Sequence, residues 1–458
     1  MMKILQIIPY FYPAWAYGGT PRVVYDLCRE LVKQGHDVTV YTTDSLDKKD
    51  RIKKAFSYQE SAISGQRSAI SDQLSAVSHQ NSALRTCAPK RAPMRRRTPH
   101  SALYFDAEVE GIKVRYFRNV SNYLAFTQKL FLTPGFSSSL RDVLKNTDIV
   151  HLQEYRTLQN VSAWKTCREG KIPYVLSAHG AILSIAGRER RKELFDRVFG
   201  HNILRDAKKL IAVSELEKRQ YQEFGIEEEK IEIVPNGINL SQFDSLPEKG
   251  SFRKKYNLDD HSVILFLGRI HRIKGIDILI DAFAELKKEK TEAKLIIAGP
   301  DDGFKRDCGM RIAECGMRQV DLSNKVKGEK EKVRESDVIF TGLVSGEEKL
   351  SLLVDADVTV LPSRFEIFSR VIFESLVCGT PVVVSEVCGV ASMIHEAGAG
   401  YIIKAEDRKD LKERIQEVLD NSEKAKFSVE RGRMLIKERL NLNIITQRVL
   451  QIYRSCLK

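Results

Sequence analysis

Short apolar runs alternate with charged amphipathic segments along nearly the whole chain. Lys3–Ile8, Asp37–Thr43, Ile112–Phe117, Ile149–Leu152, Tyr174–Ala178, Leu210–Val213 and Ile231–Val234 read as strands. Most are continuously apolar, the pattern of strands covered on both faces. Between them lie helical patterns. Val24, Leu27, Cys28 and Leu31 share one side of a helix that Thr20 caps, Pro21 opens and Gly35 ends. Ser137–Lys145 and Leu158–Arg168 are helical, Ile182–Arg205 is a long basic helical stretch, and Ser214-Glu215-Leu216-Glu217 is a capping box. The alternation predicts an α/β protein with parallel sheets.

After Val234-Pro235-Asn236-Gly237-Ile238 the chain turns polar as far as Ser251, and a hinge is expected there. The same architecture then repeats. Val263–Leu267, Lys294–Ala298, Val338–Thr341, Val358–Leu361, Pro381–Val384 and Tyr401–Ile403 read as strands. Helices are expected from about Asp277, over Glu347–Val354, from Ser369, and near Met393. Two charged helices follow, the last at Ile444–Leu457. Phe304–Ser336 reads as a longer helix or a solvated insert. The expected domains are 1–245 and 246–435, with 436–458 as a helix packing back on the first.

The stretch Pro362–Ser385 organises the second half. A strand feeds a loop carrying Glu366, a helix opens at Ser369, Glu374 lies inside it, Gly379 ends it, and a buried strand follows. In such a βαβ unit ligands sit at the carboxyl ends of the strands. Free amides and the helix dipole favour an anion there. Two carboxylates with seven residues between them suit hydroxyl groups on the same ligand.

Composition changes this picture little. A chain of 458 residues suits two or three domains. No apolar run is long enough to span a membrane, and prolines interrupt the N-terminal apolar segment, so no signal peptide is read there. Eight scattered cysteines fit a reducing compartment. The net charge of +13 raises nucleic acid, a membrane surface or an anionic substrate, but no aromatic-interleaved basic motif of the nucleic-acid type is present. Part of that charge is local. Residues 57–102 carry three near copies of a seven-residue unit (SAISGQR, SAISDQL, SAVSHQN) and a basic Pro-rich tail, with seven basic residues against Glu60 and Asp72. Serine at every first position makes a coiled coil poor, so an inserted low-complexity loop is expected.

Candidate chemistry gathers at strand ends. Arg269 and Lys274 follow a glycine and are placed to converge on one pyrophosphate, Arg as a bidentate donor and Lys as a point charge. Glu374 suits two ribose hydroxyls. Gly18-Gly19 either brings backbone close to a ligand or merely makes a turn. His179 is either catalytic or a structural hydrogen-bonding group.

Several motifs together resemble the retaining glycosyltransferases of family 4 (glycosyl transferases group 1), which have the GT-B fold. They are YGGTPRVVYDL, the His179-Gly180 pair, VPNGI, GRIHRIKGIDILIDAF, FTGLVSGEEK and PSRFEIFSRVIFESLVCGTPVVVS. The resemblance implies two Rossmann-like domains facing across a cleft, the nucleotide on the second and the acceptor mostly on the first. It implies catalytic roles for His179, beside the donor sugar, and Glu366, on that sugar's hydroxyls. Arg269 and Lys274 would hold the diphosphate together with the amides of Ile367, Phe368, Ser369 and Arg370. Glu374 would hold the ribose, Gly18 and Gly19 would lie near the phosphates, and Thr341 and Leu343 would face the base. The donor would be a UDP- or GDP-sugar and the acceptor a glycan or lipid-linked molecule, as in cell-surface polysaccharide synthesis. No cofactor and no metal are implied, because a fixed cationic cradle stabilises the departing diphosphate. A basic first domain and a lipid-linked acceptor would place the protein in the cytoplasm, against an anionic membrane face. One departure concerns the site: the family's usual Glu-Gly-Phe-Gly is Glu366-Ile367-Phe368-Ser369, with Ser369 a good helix cap. A sugar-nucleotide epimerase on the same fold and a non-catalytic sugar-nucleotide-binding relative are the alternatives. The paired glutamates oppose the first, and the intact polar set opposes the second.

Overall fold

Strands made of consecutive apolar residues must be covered on both faces, and the chain meets this demand twice. A computed structural model describes residues 1–53, 103–182, 189–258, 261–323 and 329–457. The first sheet contains β1 (Lys3–Ile7), β2 (Asp37–Thr43), β3 (Tyr104–Val109) and β4 (Ile112–Phe117). It continues with β5 (Ile149–Gln153), β6 (Tyr174–Ser177), β7 (Lys209–Ala212) and β8 (Ile231–Ile233). Their order is β3-β4-β2-β1-β5-β6-β7-β8, all parallel except β3 against β4. The second sheet contains β9 (Ser262–Leu267), β10 (Ala293–Ala298), β11 (Gln319–Asp321) and β12 (Val338–Gly342). With β13 (Val358–Leu361), β14 (Val382–Ser385) and β15 (Tyr401–Ile403) it is wholly parallel, in the order β11-β12-β10-β9-β13-β14-β15. This is the expected GT-B arrangement of two Rossmann-like sheets.

Side chains alternate between two cores on each sheet. In β9, Ile264 and Phe266 enter one core while Val263, Leu265 and Leu267 enter the other. The order of each sheet reverses at one point, between β1 and β5 in the first and between β9 and β13 in the second. Loops leaving neighbouring strands there diverge to opposite faces and open a crevice.

The expected strands all form, with ends shifted by a residue or so. Two more were not expected. β3 alternates exposed and half-buried residues and lacks the apolar run of a central strand. It joins β4 through Glu110 and Gly111, both at positive φ, the geometry of a tight hairpin. β11 is a three-residue edge inside Phe304–Ser336, flanked by the helices Lys305–Glu314 and Glu329–Glu335, so that stretch is neither one long helix nor an insert. The first helix begins at Thr20 with Gly19 as its cap residue, one position earlier than expected. Within the described residues the basic helical stretch runs from Glu189, widens into a π turn at Asp196–Gly200 and ends at Asp206. Its beginning at 182–188 and the repeat at 57–102 fall mostly or wholly outside the described residues.

Three helical segments, not two, close the chain: Arg408–Asp420, Ser422–Leu435 and Leu442–Cys456. The last returns to the first sheet, where Ile445, Val449, Leu450, Ile452 and Tyr453 share a core with Ile4, Val24 and Leu27. Among the described residues no helix is long and apolar enough to cross a membrane.

Candidate functional site

The crevice between β9 and β13 brings together Lys274 and Glu366 of the residues singled out above. Lys274 leaves the loop after β9 and Glu366 the loop after β13. Their ammonium and carboxylate form an ion pair although 92 residues separate them. Gly275 makes this loop possible. Its φ is +66°, and a Cβ there would lie 2.0 Å from the Pro362 carbonyl oxygen, so only glycine lets the two loops meet. Arg269, on the same loop and half exposed, pairs instead with Asp302. The two cations therefore engage different carboxylates in this structure.

Glu374 lies inside the helix Arg370–Cys378 and is 5 % exposed. Lys349 donates to it at 2.5 Å, and the Arg370 Nε is 3.9 Å away. Burial alone would raise its pKa; the charges of Lys349 and Arg370 outweigh burial and hold it below the usual carboxylate value. It is thus a fixed anion with lone pairs to spare. Thr341 and the exposed Leu343 stand at the end of β12, one strand beyond β10.

The altered loop keeps ordinary backbone. None of Ile367, Phe368, Ser369 and Arg370 has a positive φ. Ser369 occupies the cap position at φ −95°, but its hydroxyl makes no capping hydrogen bond, contrary to expectation. Ile367 is buried and faces the other domain: a Cβ on Gly180 would lie 2.9 Å from its Cγ1. Arg370 also turns to the first domain, donating to Asp26 at 3.0 Å. Gln242, in the connection between the sheets, donates to the other Asp26 oxygen at 3.2 Å. A helix of each domain and the connection between the sheets thus meet at one buried carboxylate.

On the first-domain side, His179 follows β6 at φ +51°, a left-handed conformation unusual for a residue with a side chain. The next amide is held: Glu217 accepts from the Gly180 N–H at 2.6 Å and from the Val213 N–H at 2.7 Å. The capping box is therefore half formed. Ser214 accepts from the Glu217 N–H at 3.3 Å, but the Glu217 carboxylate serves the His179-Gly180 turn instead of returning to Ser214. Burial pushes Glu217 up to about 7 against the pull of those two amides. The His179 ring shares a 2.6 Å hydrogen bond with Gln153, so the structural role expected for it is present, at a turn that abuts the loop of Glu366. Gly18 has φ +108°, whereas Gly19 has helical φ, and a Cβ on Gly19 would meet no atom within 4 Å. Neither conformation nor packing demands glycine at the exposed Gly19.

Four further residues here had not been singled out. Tyr10 stacks on Tyr17 with ring centroids 4.5 Å apart, and its hydroxyl donates to Glu154, the residue after β5. Glu154 has φ +67°, and burial raises its pKa against the opposing effects of Tyr10 and Lys129. The Lys129 ammonium lies 5.0 Å from the Tyr17 ring centre. The aromatic loop Pro9–Tyr17 was the available signal for this group. Among the described residues no group of three or more His, Cys, Asp or Glu side chains is placed to hold a metal ion.

Comparison with known proteins agrees with this geometry. Residues 17–242 match the family Glycosyltransferase Family 4, and residues 248–434 match Glycosyl transferases group 1. The chain is 27 % identical over 360 residues to an uncharacterized glycosyltransferase of Methanocaldococcus jannaschii, covering 76 % of this chain and 86 % of that one. It is 27 % identical over 270 residues to a D-inositol 3-phosphate glycosyltransferase of Kineococcus radiotolerans, covering 57 % and 59 %. The crystal structure of Anabaena HepE in complex with UDP and glucose is similar in fold, with a TM-score of 0.68 at 17 % identity over 99 % of this chain and 100 % of that one.

Proposed function

Because the chain belongs to the family-4 glycosyltransferases of the GT-B fold, we propose that it transfers a sugar, with retention, from a nucleotide diphosphate sugar to a glycan or lipid-linked acceptor. The observation that carries this reading is the meeting of Lys274 and Glu366 at the switch point of the second sheet. Breaking a glycosyl–phosphate bond leaves negative charge on the diphosphate and positive charge on the sugar. Lys274 answers the first and Glu366 the second, and in contact they define adjacent subsites. Arg269 and the amides of Ile367–Arg370 extend the phosphate subsite. Glu374, fixed by Lys349, accepts from ribose hydroxyls, and Leu343 offers an apolar edge to the base. His179 and Gly18-Gly19 close the cleft from the other domain. We favour UDP over GDP, because HepE is described in complex with UDP. Cationic side chains and amides stand in for a metal in this scheme.

Titration of the full chain with UDP and GDP in the presence of a chelator tests this. UDP should bind saturably, and Lys274→Ala should weaken it at least tenfold, the effect of one lost charge-assisted hydrogen bond worth about 1.5–3 kcal/mol. Unchanged affinity in that variant, or binding only with added metal, contradicts the assignment.

A membrane-bound acceptor fits the surface of the basic helix, in the sense of polysaccharide assembly at the cytoplasmic face. Leu194 and Val198 are exposed one turn apart on that helix, near Arg191 and Arg197 in sequence, and Arg191 reaches Gln128 at the end of the helix that carries the exposed Tyr123. Cosedimentation with anionic but not with neutral vesicles is the expected result; equal recovery with both removes the membrane reading.

A further inference from the structure

A chain of buried polar groups runs inward from His179 through three strands to the last helix. The His179 Nε2 meets the Gln153 Oε1 at 2.6 Å, and the Gln153 Nε2 donates to the Gln6 Oε1 at 2.8 Å. The Gln6 Nε2 donates to the Tyr453 hydroxyl at 3.0 Å. That hydroxyl meets the His151 Nδ1 at 2.7 Å, and the His151 Nε2 meets the Ser177 hydroxyl at 2.8 Å. Gln6, His151, Gln153, Ser177 and Tyr453 are each no more than 3 % exposed. In an apolar core every one of these groups must find a partner, since an unpaired buried polar atom costs about 1–3 kcal/mol.

An amide has a donor end and an acceptor end, so two glutamines in series orient each other. With the Gln153 nitrogen committed to Gln6, its oxygen faces His179, and the histidine must supply the proton from Nε2. At the far end the Tyr453 hydroxyl accepts from Gln6 and passes its own proton to the bare Nδ1 of His151, whose Nε2–H then points to Ser177. Each hydrogen bond along the chain then has one donor and one acceptor. The opposite polarity requires both amides to turn over and both rings to change tautomer together.

We propose that this chain fixes His179 as the Nε2–H tautomer and that Gln153 and Tyr453 are positioning residues for it. The ring nitrogen left for a substrate, Nδ1, then carries a lone pair and no proton. It accepts a hydrogen bond from a sugar hydroxyl and does not donate one. Burial supports the neutral ring, pushing His179 down to about 4 and His151 down to about 3. Tyr453 brings the closing helix Leu442–Cys456 into this arrangement, so the end of the chain sets the state of a residue at the cleft. The role given to His179 rests on the transferase reading above; the tautomer itself does not.

Two readouts keep these apart. Nitrogen-15 spectra of histidine-labelled full-length protein, with His179 assigned by its loss in His179→Asn, should show a protonated Nε2 and an unprotonated Nδ1. Tyr453→Phe and Gln153→Leu should each convert this to a mixture of tautomers, and Tyr453→Phe covers the case in which Gln153→Leu does not fold. In turnover of the donor sugar, Tyr453→Phe should lower kcat by about tenfold, the worth of one well-aligned hydrogen bond, and leave KM within about twofold. A protonated Nδ1 in the parent protein overturns the proposal. So does a tautomer unmoved in both variants, or an undiminished kcat in Tyr453→Phe. If the parent turns over no donor, the transferase reading falls while the tautomer result stands.

Discussion

Replacing Glu374 by alanine is expected to abolish UDP binding at concentrations that saturate the parent protein and to cost about 3–5 kcal/mol of stability, the usual effect of breaking a buried ion pair from one side. Both effects follow from one arrangement. The carboxylate is 5 % exposed and neutralises Lys349 at 2.5 Å and Arg370 at 3.9 Å. Without it two cations remain in the protein, and the acceptor assigned to the ribose is gone. Glu374→Gln separates the two effects, since it retains an oxygen for a hydroxyl but not the charge. It should bind UDP weakly while losing stability as the alanine variant does. The pH dependence has a definite sign. The folded-state pKa of Glu374 is depressed, so its stabilisation is present above the usual carboxylate value of 4.5 and is lost as pH falls through the lower folded value. Calorimetric titration with thermal melts checks each point. Native-like UDP affinity in Glu374→Ala would remove Glu374 from the donor site.

The second large effect is expected between the domains. Arg370 and Asp26 are 9 % and 3 % exposed and lie 3.0 Å apart, and Gln242 of the connection between the sheets shares the same aspartate. The Arg370 Nε and Nη1 are buried and have no hydrogen-bond partner, so Asp26 supplies the carboxylate hydrogen-bonded to the guanidinium, while Glu374 lies 3.9 Å from Nε as a second, more distant counter-charge. Asp26→Ala should destabilise the protein by about 3–5 kcal/mol, while Asp26→Ala combined with Arg370→Leu should recover much of that loss, because no buried charge is then left alone. Denaturant unfolding of the four proteins measures the coupling. Losses additive within about 0.5 kcal/mol would mean that the pair does not join the domains.

Much of this was legible before the structure. Continuous apolar runs such as Val358–Leu361 announce strands covered on both faces, and β13 forms at those residues. Edge strands escaped for the converse reason: β3 and β11 are exposed on one side, β3 carrying Asp106 and Glu108 and β11 carrying Asp321. At the site, loops after strands could be recognised as ligand-bearing, so Lys274 and Glu366 could be named there, and the structure pairs them. The distant partners of Arg370 and Glu374 could not. Nothing in the helix Thr20–Lys33 marks Asp26 as the counter-charge of a residue 344 positions away, and Lys349 resembles any solvated lysine until the helix of Glu374 packs beside it. Gln6 and Gln153 read as polar interruptions in buried strands. Their meaning depends on which strands lie side by side and on a helix that returns from the far end of the chain. Local pattern reveals elements and their loops, whereas long-range pairing belongs to topology.

We propose that this cleft breaks a sugar–diphosphate bond. Proton NMR of the full-length protein incubated with UDP-glucose and related UDP- and GDP-sugars in chelator follows that event directly. The expected result is slow release of free sugar from at least one donor, first seen in the donor's own anomeric configuration and lost in Lys274→Ala. No consumption of any donor despite saturable UDP binding, with acceptors present, would contradict it and leave a protein that binds nucleotide sugars without turning them over.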